Sequence, residues 1–147
     1  MPKCNEVMTR EPVSCEATDS IRRVAEIMKA EDVGSVPVVD SKSSRRLVGI
    51  VTDRDIVVKV LAGSAKVESA TVRDAMTANP ASVREDEDVN RAVALMSERQ
   101  VRRMPVVDAE GKLAGIIAQA DVATRVNKDQ QTGELVEAIS EPGTARR

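Results

Sequence analysis

The amino-acid sequence predicts a mixed α/β (α+β) fold in which one β-α-β-β-α unit occurs twice in tandem. Three observations support this prediction: an internal repeat, short apolar runs that alternate with amphipathic stretches, and enough apolar residues to build a core. Apolar residues make up 41% of the 147 residues, which suffices for one ordinary domain or two small ones sharing a core. Phe, Tyr and Trp are absent, so the core must be aliphatic and no aromatic ring can stack on a bound base.

The repeat is clearest in an apolar strand that contains proline. The segment VPVVD at 36–40 returns as MPVVD at 104–108, 68 positions later. The same offset relates the Met-Thr dipeptides at 8–9 and 76–77. After the proline-containing strand the offset falls to 66, because the loop that follows is longer in the first copy. One unit has therefore been duplicated, with a length change confined to a loop.

In the first copy a short strand is expected over 12–15, and its proline suits an edge position. A helix follows and runs to about Ala30, with Asp19 or Ser20 as its N-cap. Its apolar residues recur at helical spacing and predict one buried face. That face consists of Ile21, Val24, Ala25, Ile27 and Met28.

Two apolar strands come next, over 35–40 and 47–51, and the short polar turn between them predicts a hairpin. A second helix is expected from Asp53 to about Ala62. Its apolar side is predicted to consist of Ile56, Val57, Val60 and Leu61.

The second copy predicts the same elements in the same order. They are a strand at 81–83, a helix at 88–99, strands at 103–108 and 112–117, and a closing helix that begins near Gln119. A helical turn is expected to open each copy, at 3–8 and at 71–76. The chain thus divides into a first repeat at 1–62, a polar linker at 63–70, a second repeat at 71–126, and a C-terminal helix and tail at 127–147, with the helix near 134–139.

Composition excludes several classes of function. The 22 Lys and Arg against 24 Asp and Glu give a net charge of -2, which argues against nucleic-acid binding. The absence of His excludes imidazole bases and His-ligated metals, and no metal site is expected. Cys4 and Cys15 fall where the other copy has Val72 and Val83, so they are expected to be reduced core residues, with a redox role as the alternative. Without an apolar leader or membrane span, we expect a soluble cytoplasmic protein.

The junction after the second hairpin strand carries the chemistry of the first copy. In the segment LVGIVTDRD at 47–55 an apolar strand breaks into a helix, which places the Thr52 hydroxyl, a helix N-terminus and the Asp55 carboxylate side by side. Such a group suits a phosphorylated ribose. The alternatives are that Thr52 is only the N-cap and that Asp55 only complements the helix dipole. The second copy, LAGIIAQAD at 113–121, keeps the glycine and Asp121 but has Ala118 in place of the threonine.

These motifs together resemble the CBS domain pair, also called a Bateman module. The resemblance covers about 7–125 and rests on the Met-Thr dipeptide with Pro12, the VPVVD strand and the segment 49–55, each with its repeated counterpart. The chain is most similar to small stand-alone bacterial CBS-domain proteins, some of them linked to stress or hypoxia. The family implies pseudo-twofold repeats with two clefts between them, a homodimer of four repeats, and ligands such as AMP, ADP, ATP, NAD or S-adenosylmethionine.

The resemblance also assigns roles to individual residues. It places the ribose on Asp55 and Asp121 and a phosphate on Thr52, whereas Ala118 departs from the family pattern. We therefore expect the second site to be weaker for phosphorylated ligands by roughly 1.5–3 kcal/mol. It places the adenine near Thr9, Pro12, Val13, Val36 and Pro37 at the first site, and near Thr77, Pro80, Ala81, Met104 and Pro105 at the second. Each apolar residue of this set could equally be a core residue.

Phosphate charge requires cations, and the candidates are Arg54, Arg102 and Arg103. Adjacent strand residues point to opposite faces, so only one of the last two can enter a given cleft, and Arg103 is favoured. The alternative is a solvated pair that limits association between sheet edges.

The expected function is a regulatory module for signal transduction and energy sensing. It would bind an adenine nucleotide (AMP, ADP or ATP, ahead of NAD and S-adenosylmethionine) and pass the bound state to an effector protein, with no cofactor, catalytic residue, nucleic acid or membrane involved. A link to stress response follows only from the resemblance. The alternative function is a ligand-independent scaffold or interaction module with a degenerate cleft.

Overall fold

The computed structural model describes residues 2–63 and 66–125, which fall into two compact units. One unit, here called the Asp55 unit, contains the described residues of 13–80. The other, the Asp121 unit, contains residues 2–12 together with 81–125. The terminal helix expected near 134–139 lies outside the described residues.

Short helices and strands follow one another along the described chain. In order they are α1 (Cys4–Val7), β1 (Thr9–Arg10), β2 (Cys15–Glu16), α2 (Ile21–Glu31), β3 (Ser35–Val39), β4 (Leu47–Thr52), α3 (Asp53–Asp55), a π-helical segment (Ile56–Leu61), a 3₁₀ turn (Val67–Ser69), α4 (Val72–Ala75), β5 (Thr77–Ala78), β6 (Val83–Arg84), α5 (Val89–Arg99), β7 (Arg103–Val107), β8 (Leu113–Ala118) and α6 (Gln119–Arg125). The mixed α/β class, both hairpins and both opening helical turns are as predicted.

Each unit contains one four-stranded sheet. The strand order is β2-β3-β4-β5 in the Asp55 unit and β1-β8-β7-β6 in the Asp121 unit. In both sheets the long antiparallel hairpin lies in the middle, and a short parallel strand pairs with its first strand. The duplicated sequence thus gives two sheets of the same construction.

The two units exchange their opening segments. Strand β5 pairs with β4, with Thr77 opposite Ile50, and so completes the sheet of the Asp55 unit. Strand β1 pairs with β8, with Thr9 opposite Ile116, and completes the sheet of the Asp121 unit. The strand expected over 12–15 is therefore wrong in its bounds. Glu11 has a φ of 51°, so the chain turns in the left-handed region between β1 and β2.

Helices α2 and α5 follow the predicted pattern closely. Ser20 is the N-cap of α2, and its Oγ accepts the Arg23 N–H at 3.0 Å. Asp88 caps α5 in the same way by accepting the Asn90 N–H at 2.8 Å. Ala25, expected on the buried face of α2, is exposed because α2 buries only a narrow stripe.

The segment after Asp55 differs from the predicted α-helix. Residues 56–61 form a π-helix in which the Ala62 N–H donates to the Val57 carbonyl at 2.9 Å, five residues back. The wider turn brings Val60 fully into the core but leaves Val57 52% and Leu61 59% exposed. The expectation that Val57 and Leu61 would be buried is therefore wrong.

Each unit has an aliphatic core of its own. In the Asp55 unit, Val24, Val36 and Val60 are fully or almost fully buried, and burying such a side chain contributes about 1.5–3 kcal/mol. The core of the Asp121 unit is centred on Met96, Met104 and Ile117. No helix in the described ranges is long and apolar enough to cross a bilayer.

Cys4 and Cys15 are buried and unpaired, as predicted for core residues. Burial raises the pKa of the Cys4 thiol to about 11 and that of Cys15 to about 12, so both are protonated at neutral pH.

Candidate functional site

The Asp55 site lies where β4 runs into α3. Thr52, the last residue of β4, is the N-cap of α3, and its Oγ1 accepts the Asp55 N–H at 3.0 Å. The Thr52 N–H in turn donates to Oδ2 of Asp55 at 3.0 Å. This reciprocal pair is a capping box, so the N-cap role considered for Thr52 is present. Thr52 is buried, and the box attaches Oδ2 of Asp55 to the end of β4.

The backbone N–H groups at the start of α3 already have acceptors. The Asp53 N–H donates to the Gly34 carbonyl at 2.9 Å, and the Arg54 N–H donates to Oδ1 of Asp53 at 2.7 Å. The expectation that free N–H groups here would hold a phosphate is wrong, because the short turn before β3 brings the Gly34 carbonyl over the helix end. The Thr52 hydroxyl proton and the exposed Arg54 side chain are the candidate donors at this junction.

Asp55 also contacts a cation. Nζ of Lys59 lies 3.4 Å from Oδ1 of Asp55 and donates to the Ala75 carbonyl at 3.1 Å. The Asp55 side chain is 17% exposed, so it remains partly accessible from solvent. Lys59 was not predicted from the sequence to belong to the site, although its i,i+4 spacing from Asp55 is a recognisable signal.

Ser35 is a second residue of this site that was not predicted from the sequence. It is the first residue of β3 and lies directly opposite Thr52 in the β3–β4 register. Both residues are buried and polar. The Asp55 site therefore has two neighbouring hydroxyl groups at one end of its central hairpin.

The Asp121 site repeats this arrangement with different side chains. The Ala118 N–H donates to Oδ2 of Asp121 at 3.1 Å, and the Gln119 N–H donates to the Arg102 carbonyl at 2.9 Å. In the β7–β8 register Arg103 lies opposite Ala118. Two hydroxyl groups at the first site are thus replaced by a guanidinium and a methyl group at the second.

The segments expected to contact adenine are distributed differently from the prediction. Thr9 and Pro12, assigned to the first site, belong to the Asp121 unit, whereas Thr77 and Pro80, assigned to the second, belong to the Asp55 unit. These residues lie in the opposite units from the sites to which they were assigned, because β1 and β5 exchange between the sheets. Which site each of them contacts stays a prediction.

The remaining residues of this set stay with the expected site. Val13 is exposed and lies in the Asp55 unit, and Ala81 is half-buried and lies in the Asp121 unit. Buried positions in the central strands are held by Val36, Pro37, Met104 and Pro105.

The three candidate arginines differ in exposure. Arg54 and Arg102 are exposed, and Arg103 is half-buried. Among the described residues none of the three forms an ion pair. The same part of the chain contains no group of three or more Cys, Asp or Glu residues arranged to hold a metal ion.

Comparison with known proteins places this architecture in a family. The CBS domain family model matches residues 4–62 and 72–128. The uncharacterized protein YlbB of Bacillus subtilis is 38% identical over 141 residues, which cover 96% of this chain and 93% of YlbB. YlbB is a small protein of similar length, as the sequence resemblance implied.

Two solved structures are similar in fold. The structure of CBSX2 from Arabidopsis thaliana in complex with AMP has a TM-score of 0.73 and 27% identity, covering 86% of this chain and 96% of CBSX2. The CBS domain pair of MJ0100 in complex with 5-methylthioadenosine and S-adenosyl-L-methionine has a TM-score of 0.71 and 28% identity, covering 84% of this chain and 94% of that chain. With two family matches along the sequence and two sheets of the same construction, this chain belongs to the CBS domain family and is a CBS domain pair.

Proposed function

We propose that this chain is a regulatory module that binds an adenosine-containing ligand, with AMP, ADP or ATP ahead of NAD and S-adenosylmethionine. The observation that carries the proposal is the carboxylate hydrogen-bonded to the last residue of the second hairpin strand, which occurs in both units as Asp55 and Asp121. AMP, 5-methylthioadenosine and S-adenosyl-L-methionine in the two similar structures all contain adenosine, which supports this ligand class.

The geometry of Asp55 suits the ribose diol. Each carboxylate oxygen can accept two hydrogen bonds. The capping box occupies one position on Oδ2, and Lys59 lies against Oδ1, so each oxygen keeps a position for a ribose hydroxyl. Hydrogen bonds from hydroxyl groups to an ionised carboxylate are charge-assisted and contribute roughly 1.5–3 kcal/mol each.

We assign the phosphate of a nucleotide at the Asp55 site to the Thr52 hydroxyl and to Arg54. Thr52 uses its oxygen as an acceptor in the capping box and retains its proton for donation. At the Asp121 site Ala118 lacks that hydroxyl, and Arg103 is the cation beside it. The Asp55 site is accordingly the tighter of the two for phosphorylated ligands, by about ten- to a hundred-fold for one lost hydrogen bond.

Adenine is held by aliphatic residues and backbone groups, since the chain has no aromatic residue. Strands β3 and β7 supply this contact mainly through backbone groups, because the side chains of Val36 and Met104 are almost completely buried in the cores of their units.

Matched carboxylate variants test the ligand class and rank the sites. Isothermal titration of AMP, ADP, ATP, NAD and S-adenosylmethionine is carried out on the unmodified chain, on Asp55→Ala and on Asp121→Ala. We expect an adenine nucleotide to bind and Asp55→Ala to remove the tighter phase, while Asp121→Ala leaves that phase unchanged. Absence of binding by every adenosine compound at millimolar concentration contradicts the proposal.

We propose that the module acts as a homodimer and passes its bound state to an effector protein. Val57, Val58 and Leu61 form an exposed apolar surface on the π-helical segment, and a twofold dimer can bury such a surface against its own copy. The corresponding positions of the second copy include Ala123 and Thr124, which are less apolar. In sedimentation velocity, Leu61→Asp is expected to shift a dimer to a monomer, whereas a variant as dimeric as the parent contradicts this interface.

The same exposed surface favours a second candidate function, a ligand-independent interaction module. The discriminating measurement is the affinity of an isolated partner protein with and without AMP. A regulatory module changes that affinity when AMP binds, because a ligand shifts an equilibrium only by binding one state better. An affinity that is equal in both conditions favours the scaffold.

A further inference from the structure

Lys59 occupies a fixed place beside the Asp55 carboxylate. Its Nζ lies 3.4 Å from Oδ1 of Asp55 and 3.1 Å from the carbonyl oxygen of Ala75. The side chain is 43% exposed, so a lysine here has room to extend into solvent. Two acceptors on different elements instead hold its ammonium at the site.

The second acceptor explains why Lys59 stays in place. Ala75 is the last residue of α4, and the terminal carbonyls of a helix lack partners within that helix. A cation at this end of a helix is favourable. An i,i+4 ion pair alone is weak and would not hold a half-exposed lysine in place. The Ala75 carbonyl is a second, neutral acceptor for the Lys59 ammonium, and this hydrogen bond takes up none of the acceptor positions of the Asp55 carboxylate.

The Asp55 carboxylate has one contact at each of its two oxygens. The Thr52 N–H binds Oδ2 at 3.0 Å and Lys59 lies against Oδ1. A carboxylate held at one oxygen alone can still rotate about its Cβ–Cγ bond, since this terminal torsion is broad. Contacts at both oxygens restrict the rotation and present the remaining acceptor positions in one plane. Two adjacent ribose hydroxyls require that preorganisation.

We propose that Lys59 is a positioning residue that orients the Asp55 carboxylate for the 2′,3′-diol of an adenosine ligand. This inference rests on the proposed function and names the residue that sets its preference for an intact ribose. Lys59 acts through Asp55, so its removal weakens recognition of the diol rather than of the base or the phosphate.

The experiment compares AMP with 2′,3′-dideoxy-AMP by isothermal titration. The proteins are the unmodified chain, Lys59→Met, Lys59→Arg and Asp55→Ala. Lys59→Met keeps the length of the side chain without its charge, and Lys59→Arg restores a cation that can reach both acceptors. Arg22→Met is the matched control, because it removes a cation from the exposed Arg22–Glu68 pair of 3.1 Å in the same unit. Circular dichroism verifies that each variant is folded.

We expect the unmodified chain to prefer AMP over the dideoxy compound and Lys59→Met to lose about ten-fold of that preference. Its affinity for the dideoxy compound should change by less than about two-fold. Lys59→Arg should recover most of the preference, and Arg22→Met should behave as the unmodified chain. A general structural defect would weaken both ligands equally and would not be rescued by arginine.

The outcomes separate this inference from the proposed function. In one outcome the unmodified chain binds AMP, Asp55→Ala no longer binds AMP, and Lys59→Met keeps or increases the preference for AMP over the dideoxy compound. That outcome refutes the role of Lys59 and leaves the Asp55 site supported. Equal loss of both ligands in Lys59→Met also refutes it. If neither compound binds the unmodified chain, or Asp55→Ala binds AMP normally, the proposed function and the role of Lys59 fail together.

Discussion

The capping box at Thr52 makes a quantitative prediction for stability. In Thr52→Val the side chain keeps its shape and β-branching, but the Asp55 N–H loses the Oγ1 acceptor that lies 3.0 Å away. Removal of an N-cap hydroxyl costs about 1 kcal/mol. Thr52 is buried, so water replaces the lost acceptor poorly and the cost rises toward about 2 kcal/mol. The Thr52 N–H bond to Asp55 is unaffected, because it is made by the backbone.

Urea unfolding followed by far-UV circular dichroism measures this loss, since a chain without Trp or Tyr has no useful intrinsic fluorescence. We expect a lower midpoint with an unchanged slope for Thr52→Val, and Thr52→Ser should recover most of the difference. Ala118→Thr is the matched opposite change, because the other half of a capping box is already present there through Asp121. It should stabilise the chain by about 0.5–1 kcal/mol. If Thr52→Val is as stable as its parent, or Thr52→Ser is equally destabilised, the capping argument is refuted.

Three further predictions concern residues outside the Asp55 site. The Ser44 hydroxyl, and then backbone N–H groups, donate hydrogen bonds to Asp40 and lower its pKa, so the stability that Asp40 contributes is complete above the ordinary pKa of 3.8 and is lost as the pH falls through the lowered pKa. Acid unfolding followed by circular dichroism should therefore show that Asp40→Asn loses less stability below about pH 4 than the unmodified chain. Identical unfolding curves would contradict this. Because burial raises the pKa of both thiols, Cys4 and Cys15 should resist iodoacetamide at about pH 8 in the folded chain and react in urea, as mass spectrometry would report; rapid labelling of the folded chain would contradict their burial. A Cβ added at Gly115 would lie 2.8 Å from the Thr9 carbonyl oxygen, whereas a Cβ added at Gly49 would lie 3.0 Å from the Thr77 carbonyl oxygen. In urea unfolding, Gly115→Ala should therefore lower the free energy of unfolding by about 1–3 kcal/mol, and Gly49→Ala should lower it less. The reverse order would refute this steric explanation.

Features encoded by local chemistry were predictable from the sequence. Helices α2 and α5 each combine an N-cap with a helical spacing of apolar residues, and their observed starts at Ile21 and Val89 agree with that pattern. The hairpins follow from two apolar runs joined by a polar turn. The carboxylate of Asp55 was identified because its position recurs in the second copy as Asp121.

Features that depend on more distant partners were not predictable. Strands β1 and β5 have two residues each, which is too short for a period-2 pattern, so their exchange between sheets left no local signal. The π-helical segment has the sequence IVVKVL, in which five of six residues are apolar, so periodicity could not indicate which side is buried. The position of Ser35 opposite Thr52 depends on the register of β3 against β4, which could not be predicted from the sequence.

The exchange of opening segments has a consequence for how the chain is made. Residues 13–80 form one continuous unit, which can begin to fold on the ribosome as soon as it emerges. Thr9 is synthesised before that unit, but its strand partner Ile116 is synthesised 107 residues after Thr9. At synthesis rates of about 5–20 residues per second, strand β1 waits roughly 5–20 s for its place in a sheet. Strand β1 leaves the ribosome before residues 13–80 and is nevertheless among the last of the described strands to reach its native position.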